Sequence, residues 1–312
     1  MNIVFMGTPD FAVPTLKALY NAGHNVKAVF TQSDKPKGRG YKLTPPPVKV
    51  CALENSTPVY QPQSLKKGED AETSINILKE LNPDYIIVVA YGKILPKEVL
   101  DIPKHGCINV HASLLPKYRG AGPIQWSVLN GEKETGVTTM LMAEGLDTGD
   151  MLLKASTEIG VNETASELHD RLSVIGADLL IKTLDELEKG NITPEKQDDS
   201  LSSYAPMLSK DMCPLDFSKS ATEIHNKIRG LSDWPCATAM LGDKRIKIYK
   251  SEIVSVDDKN HTAGQIINEK DLTIACGIGS IRILELQAEG SKRMKTADYL
   301  RGNPVAKNQL FR

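Results

Sequence analysis

The stretch Asn109-Val110-His111-Ala112-Ser113-Leu114-Leu115-Pro116-Lys117-Tyr118-Arg119-Gly120, running on to Pro123-Ile124-Gln125-Trp126, decides how the rest of the chain is read. It sets an amide, an imidazole and a hydroxyl at every second position, as Asn109, His111 and Ser113. If residues 107–111 form a strand, side chains two apart leave it on the same face. Leu114, Leu115 and Pro116 then make an apolar turn. Gly120 and Gly122 loosen the backbone before Pro123, a residue suited to the first turn of a helix. Open α/β sheets place their chemistry where a strand ends in a loop. On spacing alone, the same Asn-x-His pattern reads equally as a turn or as a satisfied pair of polar side chains.

Upstream, Ile3-Val4-Phe5-Met6 reads as a fully buried strand of a parallel sheet. Gly7 to Phe11 turn the chain into a helix over residues 14–21, and a second strand follows over 26–30. This is a βαβ unit, which implies a Rossmann-like half. The turn holds only Gly7 of the Gly-x-Gly-x-x-Gly fingerprint, so a dinucleotide cofactor is disfavoured and a dehydrogenase is the least supported class. Residues 34–47, Asp-Lys-Pro-Lys-Gly-Arg-Gly-Tyr-Lys-Leu-Thr-Pro-Pro-Pro, are expected to lack regular structure because of their prolines and glycines. Lys35, Lys37, Arg39 and Lys42 make this loop basic. It suits a solvated surface, and equally a phosphate backbone that orders it on contact.

Helices are expected over 48–54 and 69–81, and strands over 85–90, 136–142 and from Met151. Asp147 and Asp150 lie among glycines, where aspartates commonly bond their own backbone. Thr164-Ala165-Ser166-Glu167 is a capping box opening a long helix that closes a first domain at residue 189. Residues 190–207 are polar and read as a linker. From residue 208 the texture changes to a short helix, 221–229, and short runs over 237–241, 246–249, 264–267, 272–276 and 281–286. Turn signals separate them, the pattern of a small antiparallel, OB-like barrel. The fold class is therefore α/β, a Rossmann-like parallel-sheet domain (1–189) followed by a small OB-like β-barrel domain (208–312).

The chain has 312 residues and a net charge of −1, which by itself names no polyanionic partner. The charge is uneven. Residues 208–312 carry 17 Lys+Arg against 13 Asp+Glu, and the remainder 21 against 26. A mildly basic C-terminal part permits nucleic-acid contact without requiring it. The five cysteines are scattered, with no Cys-x-x-Cys, which points to free thiols in a reducing cytosol. No Cys/His grouping has zinc spacing, so no metal is expected. Met1 to Phe5 lack the basic start and long apolar stretch of a signal peptide, and no segment has the apolar length of a membrane span.

The stretch from Asn109 to Trp126, together with the Gly7-Thr8-Pro9-Asp10-Phe11-Ala12 run, resembles folate-dependent formyltransferases, and the Ser-Leu-Leu-Pro-Lys-Tyr-Arg-Gly form resembles the tRNA-acting branch. The resemblance covers nearly the full length. It weakens at Met212-Cys213-Pro214 and at Ala288-Glu289-Gly290-Ser291, which leaves C-terminal loop details open. It implies transfer of a formyl group from 10-formyltetrahydrofolate to the α-amino group of initiator methionyl-tRNA, in the cytoplasm, by a monomer using no metal. It also implies catalytic roles for Asn109, His111 and Asp147. Folate contacts would fall to Ser113, Leu114, Leu115 and Pro116, with the Tyr91-Gly92 turn walling the pterin. Arg39 and Lys42 would contact the tRNA. In the barrel itself, Lys244, Arg245, Lys247, Lys250, Lys292, Arg293 and Lys295 read either as a basic stripe for an RNA backbone or as an ordinary solvated β-surface, with no interleaved aromatics for base stacking. Rival expectations are the same chemistry on a small amine, hydrolysis of the formylated folate, and a non-catalytic RNA-binding protein.

Overall fold

The computed structural model describes residues 1–37, 42–254 and 261–312. These fall into two compact units: Met1–Gly120 with Gly136–Thr157 and His169–Tyr204, and Ala121–Thr135 with Glu158–Leu168 and Ala205–Arg312.

The first unit is built on seven strands: β1 (Asn2–Gly7), β2 (Asn25–Phe30), β3 (Val59–Tyr60), β4 (Tyr85–Val89), β5 (Cys107–His111), β6 (Glu134–Leu141) and β7 (Met151–Glu158). Their order across the sheet is β7-β6-β5-β4-β1-β2-β3. From β3 to β5 the pairing is parallel, with Ile3 opposite Tyr85 and Val88 opposite Asn109. Both faces are covered, so β1 and β4 read as unbroken apolar runs rather than alternating ones. Ile86 and Ile87 are fully buried, and each such side chain contributes about 1.5–3 kcal/mol of apolar burial.

The expected parallel sheet becomes mixed at one edge, because β6 runs antiparallel to β5 with His111 opposite Thr138. A parallel return would need a crossover helix on the sheet face. The helix between these strands, α1 here (Pro123–Leu129), belongs to the second unit instead. A second departure lies in the basic segment. Lys35–Lys37 pairs antiparallel with Lys42–Thr44, so the ends of that segment form a short hairpin where irregular chain was expected.

In the second unit, β8 (Ala237–Leu241), β9 (Lys244–Val254), β10 (Ile266–Asn268), β11 (Thr273–Ala275) and β12 (Ser280–Ala288) pair in the order β8-β9-β12-β11-β10. The described pairings are antiparallel. The C-terminal residues join the two edges. Met240 and Arg312 exchange backbone hydrogen bonds, while Phe311 N donates to Gly264 O and Ile266 N to Gln309 O. The edge strands β8 and β10 are thereby bridged, which gives the barrel expected from the spacing of short strands and, among the described residues, leaves no long open edge. Ile246, Ile248, Ile274, Ile281 and Leu286 fill its centre, together with Ile224 and Ile228 from α2 (Ala221–Gly230).

Candidate active site

Alternation along β5 determines which side chains reach the site. Val110 turns to the face covered by α3 (Ala165–Glu188), where Gly176 lets the helix approach; a Cβ there would stand 3.0 Å from Val110 Cγ1. Asn109 and His111 leave the opposite face, Asn109 half-buried and His111 only 6% exposed.

Asp147 is brought to them from a glycine-rich loop 36 positions beyond the histidine in the chain. Its φ is +52°, in the left-handed region that aspartate tolerates better than most residues. Asp147 Oδ1 accepts from Asn109 Nδ2 at 3.4 Å, and Oδ2 lies 3.7 Å from His111 Nδ1. Oδ2 also accepts from the backbone N–H of Gly120 at 2.8 Å. The amide, imidazole and carboxylate named from the sequence therefore meet in one place. The remaining loop aspartate, Asp150, accepts with its backbone oxygen from Leu141 N at 2.9 Å.

The imidazole is oriented from its far side. Nε2 is 2.9 Å from the carbonyl oxygen of Tyr118. A carbonyl only accepts, so Nε2 carries a proton and donates it. Nδ1 is then the nitrogen left to exchange a proton, and it faces the carboxylate. Tyr118 reaches this position with φ +60°, while its N–H donates to Ser203 Oγ at 2.9 Å.

The apolar turn expected to meet folate is braced by β6. Ser113 Oγ donates to Lys117 O at 2.6 Å. Thr138 Oγ1 donates to Ser113 O at 2.7 Å and accepts from Leu115 N at 3.1 Å. The Leu115 side chain is buried with Met140 and Met151, so it faces the protein's interior. Leu114 packs where Gly136 leaves space, and Pro116 is half-buried. The neighbouring turn at Tyr91 is tied to the ends of β1 and β2, its carbonyl accepting from Thr8 Oγ1 at 2.9 Å and Gln32 Nε2 at 3.0 Å. Arg39 lies outside the described residues, and Lys42 contributes its backbone to the hairpin described above.

Two side chains that no local pattern singled out join the cluster. Gln197, within the segment read as a linker, donates from Nε2 to the carbonyls of Asp147 and Gly149, each at 2.8 Å. Arg119 donates from Nε to Gln197 Oε1 at 3.0 Å and from a terminal nitrogen to Asp199 at 2.8 Å. Gln197 stands 50 positions from Asp147, so neither periodicity nor spacing could have linked them. Arg119 was visible in the signature, without a partner to give it a role.

Of the proposed C-terminal basic stripe, Arg293 is committed to Asp233 and Glu285 and lies 4.2 Å over the Tyr249 ring, while Lys250 pairs with Glu167. Lys244, Arg245 and Lys247 are exposed on β9. A separate cleft of about 600 Å3, lined by residues including Asp10, Pro14, Lys17, Cys51 and His169, shares no residue with the Asn109 cluster. Among the described residues, no group of three or more His, Cys, Asp or Glu is placed to hold a metal ion, and no helix is long and apolar enough to cross a membrane.

An amide donor, an imidazole and a carboxylate on a Rossmann-like sheet are the equipment for proton-coupled transfer of a carbonyl group. The chain belongs to the formyl transferase family, whose N-terminal model matches residues 1–184 and whose C-terminal model matches residues 207–304. At finer grain, it is 55% identical over 307 residues to the methionyl-tRNA formyltransferase of Clostridium novyi, covering 98% of each chain. It is 52% identical over 304 residues to that of Citrifermentans bemidjiense, covering 97% of this chain and 93% of the other. Among solved structures, the N-formyltransferase from Helicobacter canadensis, in complex with folinic acid and dTDP-3-aminofucose, shares the fold. It aligns with a TM-score of 0.68 at 21% identity, covering 90% of this chain and 98% of that one.

Proposed function

We propose that this chain transfers the formyl group of 10-formyltetrahydrofolate to the α-amino group of initiator methionyl-tRNA, by direct attack and without a covalent enzyme intermediate. The observation that carries the reading is the Asp147 carboxylate reaching Asn109 with one oxygen and facing His111 with the other. The names borne by full-length relatives at more than half identity supply the acceptor.

In this account the amine nitrogen forms a bond to the formyl carbon, and the bond from that carbon to folate N10 breaks. The amine gives up a proton and N10 takes one. Asn109 offers a neutral N–H to the formyl oxygen as it becomes an oxyanion, without fixing a proton of its own. His111, its Nε2 held by Tyr118, shares the oxyanion or moves a proton through Nδ1. Asp147 orients His111 and helps to deprotonate the amine, directly or through water. Folate lies along Ser113, Leu114, Leu115 and Pro116, chiefly against backbone. Arg39 and Lys42 hold the tRNA backbone, with a catalytic domain over 1–189 and a tRNA-contacting domain over 208–312. The enzyme acts as a cytoplasmic monomer.

The test is to incubate the protein with 10-formyltetrahydrofolate and methionyl-tRNA, with an amino sugar, or with no amine. The expected product is formyl-methionyl-tRNA in the first mixture alone. Formylation of the amino sugar in preference to the tRNA, or release of formate without any amine, would overturn the reading.

A further inference from the structure

We infer that Gln197 is the positioning residue for Asp147, and that Arg119 fixes the orientation in which Gln197 works. The inference rests on the proposed role of Asp147 and adds to it the device that holds the carboxylate in place.

The segment around Gln197 behaves as a strap on the first unit. At one end, Glu195 and Met151 exchange backbone hydrogen bonds of 2.9 and 2.8 Å. At the other, Ser203 O accepts from Arg119 N at 2.9 Å and Ser203 Oγ from Tyr118 N at the same distance. Gln197 sits between these anchors. Its amide nitrogen has two hydrogens, and the two carbonyls it meets, Asp147 O and Gly149 O, use both. Its oxygen accepts from Arg119 Nε. Turning the amide over would set its oxygen against two carbonyl oxygens and its N–H2 against a donor, so Arg119 permits only one orientation.

The loop needs such a hold. Asp147 occupies a left-handed conformation that costs a non-glycine residue free energy. Gly149 runs so close to β6 that a Cβ there would overlap the Leu141 carbonyl oxygen, so only glycine fits beside the strand. Gln197 grips the carbonyl of Asp147 itself and that of the residue two further on, so it fixes the peptide plane that directly follows the Asp147 Cα and, through Gly149, the course of the loop beyond it. The carboxylate must satisfy Asn109, Gly120 and His111 together, and a shift of about 1 Å would lose that geometry. Among the described residues, the Gln197 side chain hydrogen-bonds to the carbonyls of Asp147 and Gly149 and to Arg119, so its effect on the reaction passes through Asp147.

The test uses the full chain in a steady-state assay with methionyl-tRNA, and a double-mutant comparison with Asp147→Asn. Gln197→Ala is expected to lower kcat on the order of 10- to 100-fold while KM for both substrates changes by less than about 3-fold. In the Asp147→Asn background the same change is expected to add no further loss, because the carboxylate that it positions is already gone. Gln197→Asn, one methylene too short to span both carbonyls, should reproduce the kcat loss if the alanine variant is unfolded at the assay temperature. Full kcat in Gln197→Asn or Gln197→Ala, or losses that multiply with those of Asp147→Asn, would overturn the inference. If Asp147→Asn alone kept full turnover, it would be the role of Asp147 that fails.

Discussion

Asn109 is a neutral donor in a cluster otherwise made of groups that carry or exchange protons, and that difference fixes what its loss should do. An amide binds the formyl oxygen best when charge has accumulated on it, so it favours the transition state over the bound substrate. Asn109→Ala should therefore lower kcat by roughly 100- to 1000-fold, with a much smaller change in KM for folate. A KM effect without a kcat effect, measured in the same formyl-transfer assay, would move Asn109 from chemistry to binding. Asn109 and His111 were legible from alternation once residues 107–111 were read as a strand. Asp147 was not legible from spacing, since its loop reads as an ordinary Asx turn; only resemblance picked it from Asp150. Gln197 escaped both routes, because its partners in the Asp147 loop are main-chain carbonyls that leave no trace in side-chain pattern.

Among elements, the strands of the first sheet were read most easily, since burial on both faces makes β1 and β4 unbroken apolar runs. The capping box opening α3 was equally plain, with Glu167 N donating to Thr164 Oγ1 at 3.3 Å and Glu167 Oε2 accepting from Thr164 N at 2.9 Å. The C-terminal helix Thr296–Gly302 went unread. It has one turn of residues to spare and little helical period. In α2, a buried histidine carries a pH consequence. His225 Nε2 donates to Val161 O and its Nδ1 accepts from Ser251 Oγ, both at 2.9 Å. Burial, with the nearby Arg229, pushes its pKa down, against the opposing pull of the Val161 carbonyl and Glu252. The folded state thus binds this proton less readily than the unfolded chain. Its contribution to stability is fully present above the unfolded value near 6.5, and is lost as pH falls from there toward the depressed folded value. The melting temperature of the full chain should fall between pH 7.5 and 5.5, and fall less in His225→Gln. Identical pH slopes in the two proteins would contradict this.

Across the whole molecule, the site is assembled from three stretches of the first unit: the end of β5 through Gly120, the Asp147 loop, and the strap from Glu195 to Ser203. Sequence reading gave the first two and treated the third as a connection, because a short polar segment carries no periodic signal even where its residues are hydrogen-bonded to the rest of the unit. The barrel of the second unit was anticipated from strand spacing, yet its closure depends on residues 309–312, whose short run shows no strand pattern of its own. The most direct test of the account lies in the carboxylate on which these stretches converge. The measurement is the single-turnover rate of formyl transfer to methionyl-tRNA by Asp147→Asn, with enzyme in excess and at saturating folate. A loss of about 100-fold or more in a protein that still melts cooperatively is the predicted result; a rate equal to that of the unmodified enzyme would contradict it.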